Sequence, residues 1–271
     1  MFDALAANNK AQHNSSCLLL KMYFTGDKLT KKDVVFLLFD LRILVIALTP
    51  VIALGLAVYY TDRFDKEPLY LLIKVFILGA LAVIPIVLFE KFLTSLNIFT
   101  GVAAAFFNAF VVAGLTEEFF KRAVVLRTVY RNPAFNEKLD GIVYAVFAAL
   151  GFATVENIMY VLVNFSANPY VGLSRGIFSV PTHVLLGVTM GYYLSLAKFS
   201  NHPHLERAYL RKSLYVPILL HGFFDFILMS EIPILLTLFL PYIIYLWTVN
   251  LRKLNRYYKE SREKYQKIPA R

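Results

Sequence analysis

GIVYAVFAALGFATVENIMYVLV, residues 141–163, is the stretch that decides how this chain folds. It is apolar almost throughout and carries a single charged residue, Glu156. An α-helix needs roughly 20 such residues to cross the hydrocarbon core of a bilayer. A soluble amphipathic helix would interrupt the run with a polar face every turn. Here no such face exists, so the segment reads as a membrane span.

The same pattern recurs on both sides. Apolar runs cover Ile43–Tyr60, Leu69–Phe89, Ile98–Leu115, Gly176–Ala197, Leu214–Met229 and Ile232–Leu251. With residues 141–163 they predict an all-α, polytopic membrane bundle of about seven transmembrane helices, because only helices or closed barrels satisfy their backbone polar groups inside lipid. The composition agrees: the 271 residues are 58% hydrophobic and 17% charged. Three regions follow: a polar N-terminal arm with an interfacial segment (1–42), a transmembrane domain (43–251) and a basic C-terminal tail (252–271). The N-terminus lacks secretory-signal character. Asp40 and Arg42 suit an interfacial turn before the first span.

The net charge of +10 sits on residues that flank the apolar runs. Anionic lipid headgroups therefore account for it, and membrane lipids are expected partners. Without a Gly-rich phosphate loop or a basic–aromatic recognition module, nucleic acid is excluded as a partner. Cys17 is the only cysteine, so no internal disulfide can form. Counting Lys and Arg on each side places the tail in the cytoplasm by the positive-inside rule, although the basic residues of the N-terminal arm pull the other way.

Against this background six ionisable side chains stand out: Glu117, Glu118, Glu156, His183, His221 and Asp225. A charge near the bilayer centre costs roughly 2.5–3.5 kcal/mol on insertion scales. A chain that keeps six, spread over separate helices, is expected to gather them in one polar, hydrated chamber.

Four-residue spacing places side chains on one helical face. Glu117 shares a face with Lys121, and Glu118 with Arg122. That string also fits a solvated helix end with paired charges. Glu156 continues a face made by Ala148, Phe152 and Tyr160. Ser179, His183, Gly187 and Gly191 form another stripe, whose GxxxG pattern permits close helix approach. Pro217, His221 and Asp225 form a third, and a carboxylate one turn from a histidine can fix the ring's tautomer. Pro181 and Pro217 precede the two histidines and could open their helices toward a cavity.

These strings, taken in order, resemble the PrsW-type intramembrane proteases, distant relatives of the CAAX prenyl endopeptidases and bacteriocin-processing enzymes. The similarity rests on Glu117-Glu118-Phe-Phe-Lys121, Phe152-Ala-Thr-Val-Glu156 and His221-Gly-Phe-Phe-Asp225. The loop Asp62–Pro68 and Pro181-Thr182-His183 with its downstream glycines are similar too. The resemblance covers about residues 43–250. It implies hydrolysis of peptide bonds in membrane-anchored substrate proteins, such as anti-sigma factors, in a bacterial plasma membrane. It further implies roles for Glu117, Glu118 and His221, with Glu156, His183 and Asp225 as further site residues. CAAX-type relatives carry a histidine where this chain has Glu156, so their water-activation scheme does not transfer unchanged.

Peptide hydrolysis needs an activated water, a donor for the oxyanion and a proton for the leaving amine. Glu117, aided by Glu118 or Glu156, is the expected general base, with His221 oriented by Asp225. Glu156, His183 and His221 offer a ligand set for Zn2+; a metal-free glutamate–histidine mechanism is the alternative. Two other functions use the same residues differently. A proton-coupled transporter would build a relay from them, and a non-catalytic scaffold would use them only to pack helices.

Overall fold

The computed structural model describes residues 31–164 and 170–267, with side chains from Leu44 onward. The N-terminal arm before Lys31 lies outside the described residues. Helix α1 (Lys31–Thr61) runs straight through the segment expected to turn at Asp40 and Arg42. Nothing between Lys31 and Arg42 is a Pro or Gly that would break it.

The chain continues as α2 (Leu69–Leu81) and α3 (Val83–Ser95), which together form one span, then α4 (Gly101–Phe107). A π-helical stretch (Asn108–Leu115) leads into α5 (Thr116–Thr128). Next come α6 (Lys138–Asn164) and the single turn α7 (Val171–Ser174). A second π-helical turn (Arg175–Ser179) opens α8 (Val180–Lys198). Helix α9 (Pro203–Met229), the short α10 (Pro233–Thr237) and α11 (Phe239–Gln266) complete the bundle.

Six of these stretches are long and apolar enough to cross a membrane: Leu44–Thr61, Leu69–Ser95, Gly101–Thr128, Lys138–Asn164, Val171–Lys198 and Pro203–Met229. The expected seventh, Ile232–Leu251, misses that measure because its helix breaks at Leu238 and α11 turns charged after Leu251. Its path nevertheless traverses the bundle. Phe239, at its start, packs on Phe178 and Phe224. Its far end reaches the loops that follow the first and third spans: Arg63 donates to Tyr258 Oη at 2.5 Å, and Lys264 lies 3.4 Å from both Asp65 and Glu137. Its apolar part, Phe239–Leu251, is 13 residues, about 20 Å at 1.5 Å each and short of a full crossing by itself. The basic tail is largely a helical continuation of this segment.

Helix α6 is the axis of the fold. It is buried on nearly every side, as expected of a helix apolar all round. Leu71, Leu72 and Val75 of α2 pack against it on one side, and Val184, Val188 and Met190 of α8 on the other. The outer surface carries Ile84, Leu88, Phe92 and Ile98 exposed to the surroundings. Water would not tolerate so broad an apolar belt; lipid does.

Glycine permits the closest helix approach. A Cβ on Gly191 would collide with the Gly141 carbonyl of α6. The GxxxG stripe predicted on α8 is therefore a contact face, and it sets the register of His183 against Glu156.

Candidate active site

Two π-helical stretches bracket the polar centre, each immediately before site residues on the next helix. Such widened turns re-aim the side chains that follow and recur at functional sites. In the first, Gly114 comes so near α9 that an added Cβ would sit 3.1 Å from the Ile218 carbonyl oxygen. On the facing helix a Cβ on Gly222 would run into the Phe110 ring. This crossing delivers Glu117 and Glu118, one turn beyond Gly114, to His221, the neighbour of Gly222. The second stretch carries Arg175 toward α6 and hands over to Pro181 and His183 on α8.

The expected gathering occurs, as a buried cluster of side chains. Glu117, Glu118, Lys121, His183 and His221 are each at most 5% exposed. The two imidazoles stand nearly perpendicular with ring centroids 5.5 Å apart. His183 donates from Nε2 to Glu156 Oε2 at 2.9 Å, and its Nδ1 lies 4.0 Å from Glu117 Oε2. His221 mirrors it, with Nε2 3.3 Å from Asp225 Oδ2 and Nδ1 3.8 Å from the same Glu117 oxygen. Lys121 lies between them. Its ammonium pairs with Glu118, sits 3.3 Å from Glu117 and approaches His183 Nδ1 at 3.5 Å. That approach makes His183 Nδ1 an acceptor, so the ring proton is on Nε2. His221 Nδ1 also lies 3.0 Å from Glu118 Oε1, so carboxylates flank both nitrogens of this ring.

All six residues singled out in the sequence therefore meet. Glu117 and Glu118 are not a solvated helix end, because α5 continues the span to Thr128 and buries both. Lys121 pairs with them both. Arg122, expected beside Glu118, instead donates to Ser213 Oγ at 2.8 Å and the Leu210 carbonyl at 2.9 Å.

Among the described residues, Glu117, His183 and His221 form a group whose donor atoms lie within 4.8 Å of one another and could hold a metal ion. One carboxylate oxygen and two imidazole nitrogens make a donor set of the kind zinc takes. The separations of 3.8 and 4.0 Å are wider than the roughly 3.3 Å edge of a tetrahedral zinc site, so modest contraction suffices. Charge fits as well: the carboxylates of Glu117, Glu118, Glu156 and Asp225 face two permanent cations, Lys121 and Arg175. A divalent ion would supply the missing charge. Glu156, a ligand in the expected set, sits behind His183 instead.

Three participants escaped the sequence reading. Arg175 binds Glu156 Oε2 at 2.7 Å and Asn157 Oδ1 at 3.0 Å while lying 3.9 Å over the Tyr160 ring. A lone arginine opening an apolar run, across one loop from a lone glutamate, was a usable signal. Glu90 on α3 is half-buried and lies within electrostatic reach of Glu156, His221, Asp225 and Lys121. Its place at the end of an apolar run looked interfacial. Asn157 holds α1 through a 2.7 Å bond to the Ala47 carbonyl.

Residues 67–250 match the PrsW family of intramembrane metalloproteases. A protease PrsW of Clostridioides difficile (strain 630) is 41% identical over 225 residues, covering 82% of this chain and 94% of that one. One from Oceanobacillus iheyensis is 37% identical over 218 residues, covering 80% and 96%. That of Bacillus subtilis (strain 168) is 37% identical over 206 residues, covering 76% and 91%. No solved structure matches the chain. With the buried Glu–His–His group inside the matched region, the chain belongs to the PrsW family and is an intramembrane metalloprotease.

Proposed function

We propose that the chain cleaves membrane-anchored proteins at Glu117, His183 and His221, which hold a zinc ion, with Glu118 moving the protons. The observation that carries this reading is the shared orientation of the two imidazoles. Each gives Nε2 to a carboxylate and turns Nδ1 toward one oxygen of Glu117. Carboxylates behind ligand histidines fix the tautomer and strengthen the inward lone pair.

When bound, the ion supplies a water acidic enough to ionise near neutral pH and polarises the scissile carbonyl. The remaining work falls to the chain. Glu118 is held close to Lys121 and stays a carboxylate beside the reacting centre. It accepts the proton of the attacking water as the new C–O bond forms. It returns that proton to the amine nitrogen as the C–N bond breaks. Lys121 places a fixed positive charge where oxyanion charge develops. Arg175 pairs with Glu156, and Glu156 in turn holds His183.

The chamber's depth sets the substrate class. Glu156 lies in the interior of its span, so only a chain that itself enters the bilayer reaches it. Single-pass proteins of the anti-sigma-factor kind fit that requirement. Bacterial relatives and the basic tail favour a plasma-membrane location with the tail in the cytoplasm.

The test is metal analysis and cleavage on one preparation. Wild type should hold one zinc per chain and cleave a co-reconstituted single-pass substrate. Glu117→Gln should lose both zinc and cleavage, whereas Glu118→Gln should keep zinc and lose cleavage. Activity that persists without bound metal would return Glu117 to the role of general base.

A further inference from the structure

The loop Asp62–Pro68 takes no part in the chamber, yet four buried carboxyl groups meet around it. Asp62 and Glu67 come from the loop, Glu137 from the turn before α6 and Asp140 from the first turn of α6. Asp140 lies sixteen residues before Glu156 on the same helix, about 24 Å away along its axis, so this cluster is separate from the proteolytic centre.

Half of the oxygens are accounted for. Asp62 Oδ2 accepts from the Glu67 amide at 2.9 Å. Asp140 Oδ2 accepts from the Asn136 and Glu137 amides, both at 2.7 Å. Glu67 Oε2 accepts from the Tyr144 hydroxyl. Glu137 Oε2 has Lys264 at 3.4 Å, an ammonium half open to solvent and shared with Asp65. Lys66 is directed away, over the Tyr59 ring at 4.6 Å.

Three of the other four oxygens are orphans. Asp62 Oδ1, Glu137 Oε1 and Asp140 Oδ1 are buried without any hydrogen-bond partner. All three side chains are more than nine-tenths buried, Asp140 completely. One carboxylate oxygen from each lies within 4.8 Å of the others. An unpaired buried polar group costs about 1–3 kcal/mol, and a charged one more. Three in one place, beside a fourth buried carboxyl and one half-exposed lysine, call for compensating positive charge. The donors are all oxygen, which selects a hard ion such as Mg2+ or Ca2+ over zinc.

We propose that Asp62, Glu137 and Asp140, with Glu67 beside them, bind a hard divalent cation that clamps the α1–α2 loop to the start of α6 beneath the end of α11. The ion joins three connections on the tail side of the bundle and holds in place the frame from which α6 carries Glu156 inward.

The full chain in detergent, stripped with chelator and dialysed, is heated with millimolar Mg2+, Ca2+ or neither; tyrosine-sensitised Tb3+ emission reports binding directly. Saturating ion should raise the unfolding midpoint by about 5 °C. The Mg2+ and Ca2+ arms show which ion is preferred, and Tb3+ emission should appear and be quenched by that ion. Glu137→Gln and Asp62→Asn should lose both responses while still unfolding cooperatively. Glu117→Gln, in the other cluster, should retain them. No response in wild type, an intact response in both loop variants, or loss in Glu117→Gln would overturn the proposal. Midpoints that rise on acidification but ignore divalent ions would do so too, since shared protons would then neutralise the cluster.

Discussion

His183 and His221 present the same ring nitrogen to the same oxygen: their Nδ1 atoms lie 4.0 and 3.8 Å from Glu117 Oε2, while Glu156 and Asp225 hold their Nε2 atoms. The two rings come from helices that cross the bundle separately, so this correspondence is built by packing rather than by local sequence. On the proposed reading the outer carboxylates position the rings, and the inner three side chains are the metal-holding set.

Glu156→Gln and Asp225→Asn should therefore weaken function without erasing it. Removing a carboxylate behind a ligand histidine typically costs 10–100-fold in metal affinity or activity. Zinc titrations of each variant should show weaker binding, with cleavage restored by excess zinc. Activity that stays depressed at saturating zinc would instead assign the carboxylates to the chemistry.

Lys121→Met tests the charge balance. The ammonium is 1% exposed and neutralises two buried carboxylates. Breaking such a pair from one side costs about 3–5 kcal/mol, because it strands charge in a low-dielectric site. The variant should unfold at markedly lower temperature, and adding Glu118→Gln should recover part of the loss. A single variant as stable as wild type would mean that the carboxylates already carry protons.

Most of the fold, and the gathering of the six side chains in one cluster, were legible in the sequence, for a physical reason. Lipid demands long apolar runs, which makes spans easy to see and an acid or imidazole within one conspicuous. The stripes Ser179–His183–Gly187–Gly191 and Pro217–His221–Asp225 follow from helical periodicity alone; His183, His221 and Asp225 reach the cluster, while Gly187 and Gly191 pack on α6. What periodicity cannot give is the handover between helices. Lys121 and Arg122 are adjacent on paper, yet one is buried in the chamber and the other caps contacts to α9. The π-helical turns rotate the following side chains, which placed Glu117 rather than Glu156 among the inward donors. Arg175 and Glu90 were hidden because each lies at the edge of an apolar run, where charge ordinarily meets headgroups.

Arg175→Met should uncouple Glu156 from its counter-charge. Glu156 would keep only His183 as partner and draw its proton more strongly. The expected result is a cleavage-versus-pH profile displaced from wild type together with weaker zinc binding, while Arg175→Lys restores much of both. An unchanged profile in the methionine variant would show that Arg175 only anchors α7 to Tyr160.

Gly191→Leu probes the contact that sets this register. Even a Cβ there meets the Gly141 carbonyl, so α8 must move away from α6. Overpacking of a tight contact costs about 1–3 kcal/mol. Cleavage should fall further than stability, because His183 is carried off Glu156 on the same helix. Equal wild-type activity would mean that the α6–α8 spacing does not position the site.

Lys253 gives a prediction for pH. It lies beyond the apolar run that ends at Leu251, and burial lowers its ammonium from 10.5 to about 8. Its neighbours are neutral: Thr189 Oγ1 at 2.9 Å and Asn250 Oδ1 at 3.2 Å. A depressed amine binds fewer protons folded than unfolded between pH 8 and 10.5. Stability therefore rises with pH across that window, and below pH 8 the folded chain bears the full cost of the buried charge. Lys253→Met should abolish this slope and raise the midpoint at neutral pH by about 2–4 °C. Thr189 Oγ1 still donates to Asn250 Oδ1 at 2.6 Å, so the substitution leaves no orphan behind. A wild-type midpoint that falls between pH 8 and 10 would instead mean that the ammonium finds a carboxylate or a lipid phosphate in the bilayer.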